Sequence, residues 1–171
     1  MLNNYPAAQV NNKIRLPKES DMSDCCGNNK SGCNSQGETK TYPRKFACPV
    51  NSENYVSVSH KTILHHIKSP WKNKLTEEQY YFCDDPECEV TYFGLEGSVI
   101  KKSELRTKVG IKEKDEDALV CYCFGVSKAT AKQDEKIKIY VTKNTKENLC
   151  ACEIRNPSGR CCLKDFPEIN H

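Results

Sequence analysis

Apolar and polar positions divide the chain into a polar lead and two patterned stretches. Residues 1–44 are rich in Asn, Ser, Lys and Gly and show little periodic hydrophobicity. Such a segment cannot bury enough apolar surface to offset its ordering entropy, so it reads as a disordered tail. Patterned sequence opens in FACPVNSENYVSVSHKTILHHI. There NYVSVS alternates as a short strand does, and Ser59 is placed to cap a helix with Ile63, Leu64 and Ile67 on one face. Pro70 ends that helix, and the sole tryptophan, Trp71, is expected as a core anchor. In YYFCDDPECEVTYF, aromatic and β-branched residues flank an Asp-Asp-Pro-Glu turn, which predicts a hairpin with Cys83 and Cys88 beside the turn. GSVIKK adds a strand, and the charged KEKDEDA reads as a linker. The last third begins with an apolar run into Cys121. Ser127 is positioned to cap a short helix, and Ile137, Tyr140, Val141 and Leu149 share a face at helical spacing. RNPSGR has loop composition, and a final short helix is expected from Cys161 towards Phe166.

Composition changes the picture through its sulfur. The 171 residues include 12 cysteines, and mean hydropathy is -0.74. A chain of this size and polarity buries a thin core and needs staples. A net charge of +3 implies no field for nucleic acid. No apolar run reaches membrane-span length, and the N-terminal stretch lacks the apolar region of a secretory signal, so no membrane role and a cytoplasmic location are expected. In that compartment thiols stay reduced, and clustered cysteines point to metal or catalysis before disulfides.

The C-terminal thiols come in close sets: Cys121 with Cys123, Cys150 with Cys152, and Cys161 beside Cys162. An iron–sulfur cluster needs four thiolates on short constrained loops with backbone amides nearby. The Gly125 turn and the Gly159 loop can expose amides, and Arg155 or Arg160 can offset negative charge. On spacing alone these thiolates fit a [2Fe-2S] cluster or a second zinc ion equally well. Upstream, Cys83 and Cys88 are spaced as one half of a zinc site, in which each tight turn contributes a pair of ligands.

At this point VCYCFGVS…C…NPSGRCC resembles the [2Fe-2S] domain of CopZ-type copper chaperones, itself similar to bacterioferritin-associated ferredoxin. FCDDPECEVTYF followed by KSELRTKVGIKEK resembles the zinc-binding part of the same N-terminal module, over about residues 46–166 in all. The resemblance implies Cys121, Cys123, Cys152 and Cys162 as cluster ligands. Cys161 competes with Cys162 for the last position, and Cys150 is a spare small hydrophobe. It implies zinc held by Cys48, Cys83 and Cys88. The family's second turn reads C-P-x-C, but here it is Cys48-Pro49-Val50-Asn51, so one thiolate is missing. His65 is the expected fourth ligand; His60, His66, a tail cysteine or water are the alternatives. Cys25, Cys26 and Cys33 in the tail suit capture of soft copper(I). The sequence has no M-x-C-x-x-C loop, so copper delivery by a ferredoxin-like carrier domain does not transfer with the resemblance.

The expected fold is α+β: a small metal-stapled protein in two parts. After the tail at 1–44, residues 45–110 form a zinc-held β-hairpin with a helix, and residues 111–171 a helical hairpin gripping the [2Fe-2S] cluster. The expected role is a non-enzymatic metallochaperone-like protein. One-electron transfer would support copper handling, Cu(II) to Cu(I), with an unidentified electron donor and a copper-transporting ATPase or chaperone as partners. A non-redox structural zinc module is the main alternative. A thiol enzyme is disfavoured because no C-x-x-C pair is present.

Overall fold

The structure, a computed structural model, describes residues 41–168. The tail thiols Cys25, Cys26 and Cys33, expected to capture copper(I), therefore lie outside the described residues. The described residues form one compact unit, in which 45–110 and 111–168 pack together.

Five antiparallel strands run in chain order: β1 (Lys45–Ala47), β2 (Asn54–Val58), β3 (Tyr80–Phe82), β4 (Val90–Gly94) and β5 (Val99–Lys101). The expected hairpin is β3–β4, pairing Tyr81 with Phe93 and Phe82 with Tyr92. It sits at the centre of a sheet larger than the sequence pattern announced. Every residue of β3 and β4 is buried, because both faces are covered. Side chains alternate across a strand, so Tyr80, Phe82 and Tyr92 enter one core with Val58, Ile63 and Ile67. Tyr81 and Cys83 point the other way, into a second core with Tyr55 and Phe93. A register shift between Val90 and Tyr92 brings Val90 into this second core as well.

Between β2 and β3 lies α1 (His60–His66), capped by Ser59, whose side chain accepts from the Lys61 amide. The chain then turns at Ser69, which adopts a φ of 50°. This turn overturns the expectation for Trp71. It carries the tryptophan away from the sheet, and the side chain is 76% exposed.

The second half opens with a 3-10 turn at Gly110–Lys112, which runs into the charged stretch expected as a linker; residues 113–118 carry no helix or strand. A small hairpin follows, β6 (Leu119–Cys121) with β7 (Val126–Ser127). Then come α2 (Lys128–Gln133), capped by Ser127, α3 (Glu135–Lys146) and the one-turn α4 (Cys152–Arg155). A 3-10 turn at Cys162–Asp165 closes the chain, with Phe166 in the core. The expected apolar face of α3 is narrower than the spacing implied. Val141 is fully buried and Ile137 packs beside it, but Tyr140 lies at the edge against Phe124, and Leu149 falls beyond the helix end. Among the described residues no helix is long and apolar enough to cross a membrane.

Candidate metal centres

The first centre is built where β1 and the β3–β4 hairpin end. Cys48 follows β1 directly, and its amide and carbonyl are bonded to Glu53 and Ser52 in a tight turn. Cys83 leaves β3 on the face shared with Tyr81. The hairpin turn returns to Cys88, whose amide donates to the Asp85 carbonyl. The three sulfurs lie within 4.8 Å of one another and all three residues are buried. A tetrahedral zinc thiolate site with Zn–S near 2.3 Å needs sulfurs about 3.8 Å apart, within reach of this spacing. Burial pushes the Cys83 thiol up to about 11, so in the metal-free chain it carries its proton. A bound cation must displace that proton, which makes metal uptake pH-dependent.

His65, expected as the fourth ligand, is not brought to these thiols. It is exposed on α1, with its ring edge-on against His66 and its carbonyl bonded by Arg106 Nε. His60 bonds the Thr76 carbonyl, and His66 bonds that of Ile154. Asn51 stands at the mouth of the turn, donating to Tyr55 OH at 2.8 Å and to Asp85 Oδ2 at 2.7 Å. One residue that sequence reasoning missed completes the surroundings. Lys112 is 3% exposed, and its ammonium donates to the carbonyls of Asp85 (2.6 Å) and Cys88 (2.9 Å) and lies 3.7 Å from Cys83 Sγ.

The second centre is assembled from three separate pieces. The β6–β7 turn carries Cys121 and Cys123, with Gly125 at a φ of 67° making the reversal. Cys152 opens α4, and Cys162 opens the last 3-10 turn. These thiols meet in two pairs. Cys123 Sγ lies 3.6 Å from Cys152 Sγ, and Cys162 is a close neighbour of Cys121. The Cys162 thiol beside it, with the amides of Phe124 and Cys123, holds Cys121 well below the usual thiol range, at about 6. Cys162, as donor and buried, is held above it. The Ala151 amide donates to Cys123 Sγ at 3.3 Å, and Arg155 reaches the Cys123 carbonyl. Cys150 sits half-buried beside Cys152, whereas Cys161 is exposed.

Behind this centre, Asn156 shapes the NPSGR loop. Its Oδ1 accepts from the amide and hydroxyl of Ser158, and its Nδ2 donates to the Arg160 carbonyl. The last carbonyls of a helix have no intrahelical donor. Here the first half of the chain provides donors in succession: Thr62 Oγ1 to Glu153, His66 Nε2 to Ile154, and Tyr92 OH to Pro157.

Comparison with known proteins gives concordant findings. Residues 45–106 match a family model described as the zinc binding domain of CopZ. The chain is 37% identical over 120 residues to the copper chaperone CopZ of Archaeoglobus fulgidus, an alignment covering 67% of this chain and 57% of that protein. The chain thus spans little more than half the length of this curated relative. The X-ray structure of the N-terminal domain of Archaeoglobus fulgidus CopZ is similar with a TM-score of 0.51 and 32% identity, over 72% of this chain and all of that domain.

Proposed function

The chain belongs to the family of the CopZ N-terminal module, and on that premise we propose that it is a metallochaperone-like protein holding a zinc ion and a [2Fe-2S] cluster in support of copper handling. Cys48, Cys83 and Cys88 hold the zinc; Cys121, Cys123, Cys152 and Cys162 hold the cluster. When bound, a [2Fe-2S] cluster supplies a reversible one-electron couple, matched to the single electron that separates Cu(II) from Cu(I). The chain's own contribution is to gather the thiolates, shield them from water and supply amide donors. No catalytic machinery is assigned. Copper, and a copper-transporting ATPase to receive it, are the partners that fit this reading; tail residues Cys25, Cys26 and Cys33 are the proposed copper(I) capture thiols.

The observation that carries the reading is the pairing of the C-terminal thiols. A mononuclear zinc site would draw all four sulfurs to a common spacing of about 3.8 Å. Among the described residues, the sole set of three potential metal ligands within 4.8 Å of one another is Cys48, Cys83 and Cys88. The C-terminal thiols instead show one close pair, Cys123–Cys152 at 3.6 Å, with Cys121 and Cys162 as neighbours of each other. Two thiolates for each of two irons is what a binuclear cluster asks for. The Ala151 amide on Cys123 and the amides beside Cys121 are the donors such sulfurs require.

The test is a visible spectrum of anaerobically purified protein, with iron, zinc and acid-labile sulfide measured on the same sample. The expected result is red-brown protein with about two irons and two sulfides per chain and about one zinc. Colourless protein with about two zincs after reconstitution with iron and sulfide would replace this reading with a structural zinc module.

A further inference from the structure

The turn that carries Cys48 continues to Asn51, and both ends of that amide are committed. Its nitrogen donates to Tyr55 OH at 2.8 Å and to Asp85 Oδ2 at 2.7 Å. Its oxygen accepts from the Glu53 amide at 3.1 Å. An amide nitrogen has no lone pair to give a metal, and the oxygen is held by the Glu53 amide within its own turn. Asp85 is tied into the same network: Oδ1 accepts from the Glu87 amide at 3.0 Å and Oδ2 from Asn51. Asn51, Tyr55 and Asp85 thus form a hydrogen-bonded rim beside the three thiols, and among the described residues no histidine or carboxylate joins Cys48, Cys83 and Cys88 in a common set of ligand atoms.

An independent observation concerns charge. The Lys112 ammonium is buried against this centre, and its three donors are directed at the Asp85 carbonyl, the Cys88 carbonyl and Cys83 Sγ. A buried cation needs a countercharge. Three thiolates with one divalent cation leave a single negative charge, which Lys112 cancels. A fourth thiolate would leave the buried centre anionic. The countercharge therefore matches three protein thiolates and a neutral fourth ligand.

We propose that Cys48, Cys83 and Cys88 form an open three-thiolate site for a divalent cation, countercharged by Lys112. Its fourth position takes an exogenous ligand, water at rest and exchangeable for a soft anion such as a small thiolate. Structural zinc sites are closed by four protein ligands, whereas sites that exchange ligands keep one position for solvent or substrate. On this proposal the ion is a reactive centre able to accept a thiolate from a partner. The exchange is a substitution without oxidation: the incoming thiol gives its proton to solvent and its sulfur replaces the water. The proposal rests on the zinc assignment made above for the same residues.

Cobalt(II) is the probe, because its ligand-field bands report the number of coordinated sulfurs. The full chain is loaded with Co(II) anaerobically, and the spectrum of a Cys83→Ser variant is subtracted. Addition of 2-mercaptoethanol is expected to intensify and shift the Cys83-dependent bands, whereas an Asn51→Cys variant should give the four-thiolate spectrum from the start and not respond. Lys112→Met should weaken Co(II) binding, read by chelator competition, about 10- to 100-fold, and Lys112→Arg should restore most of it. Cys83-dependent bands in the unaltered chain that ignore the added thiol would overturn the proposal while leaving the metal assignment intact. So would a four-thiolate spectrum that opens only when Cys25, Cys26 and Cys33 are replaced by Ser, since a tail thiol would then be the fourth ligand. Absence of any Cys83-dependent band would overturn the metal assignment and the proposal together.

Discussion

His66 should make the stability of this protein fall steeply in mild acid. The side chain is 1% exposed, wedged between α1 and α4. Its Nε2 lies 3.0 Å from the Ile154 carbonyl, an atom that only accepts, so Nε2 carries the proton and Nδ1 is the basic nitrogen. Nδ1 is buried and makes no hydrogen bond. Protonation would place a charged, unpartnered N–H inside the protein, with His65 and Arg106 adding like charge nearby. Burial first, then His65, lowers the His66 pKa from 6.5 to about 4. A base with a lowered pKa binds its proton more tightly in the unfolded chain, so protons draw the equilibrium towards unfolding. Stability is full above pH 6.5, is lost as pH falls from there to about 4, and changes no further below that. With these values, the loss between pH 7 and pH 5 is about 2 kcal/mol. The assay is denaturant unfolding of metal-loaded protein at pH 7, 6 and 5, beside a His66→Gln variant that keeps a donor for Ile154 but does not titrate. Acid release of metal affects both proteins and cancels in the difference. Parallel pH profiles for the two would refute the reasoning.

Three further outcomes follow from the same contacts. Serine at Cys121, Cys123, Cys152 or Cys162 should each abolish the visible absorbance of iron–sulfide-reconstituted protein, whereas Cys150→Ser and Cys161→Ser should keep it. Retention in any of the first four removes that residue from the ligand set. Tyr92→Phe takes the donor from the buried Pro157 carbonyl and should cost about 1–3 kcal/mol in chemical unfolding; a variant as stable as the parent would mean that water replaces the hydroxyl. Gly159→Ala meets a φ of 65° and the Thr62 hydroxyl 3.2 Å from the new Cβ. It should destabilise by about 1–3 kcal/mol and speed loss of the visible chromophore, and an unchanged chromophore half-life would show that the loop does not guard the site.

The elements that sequence reading recovers are those whose signal is local. The β3–β4 hairpin is written in alternating aromatics around an Asp-Pro turn, and the caps at Ser59 and Ser127 are single residues at helix starts. β1 escapes because three residues, Lys45–Ala47, are too few to show alternation; its existence depends on β2 as a template. Trp71 misleads for a related reason. Size and hydrophobicity argue for burial, but exposure is decided by the direction of the chain at Ser69, which composition does not encode.

The sites show the same division more sharply. Cysteine pairs on tight turns are legible because a turn brings its own ends together. What surrounds them is not, since it arrives from far along the chain. Lys112 lies in a run of charges that reads as solvated linker, yet it passes beneath the hairpin and meets residues 24 to 29 positions upstream. Thr62, His66 and Tyr92 reach the α4 segment across 91, 88 and 65 residues. A four-residue helix cannot satisfy its own final carbonyls, so α4 needs donors from elsewhere, and here they come from the half of the chain that carries the zinc thiols. The C-terminal half therefore does not complete itself. Cys152 opens a helix whose carbonyls are bonded by α1, and β4 holds the Pro157 carbonyl of the loop that follows, so disturbing those elements should disturb the thiols before any cysteine is touched.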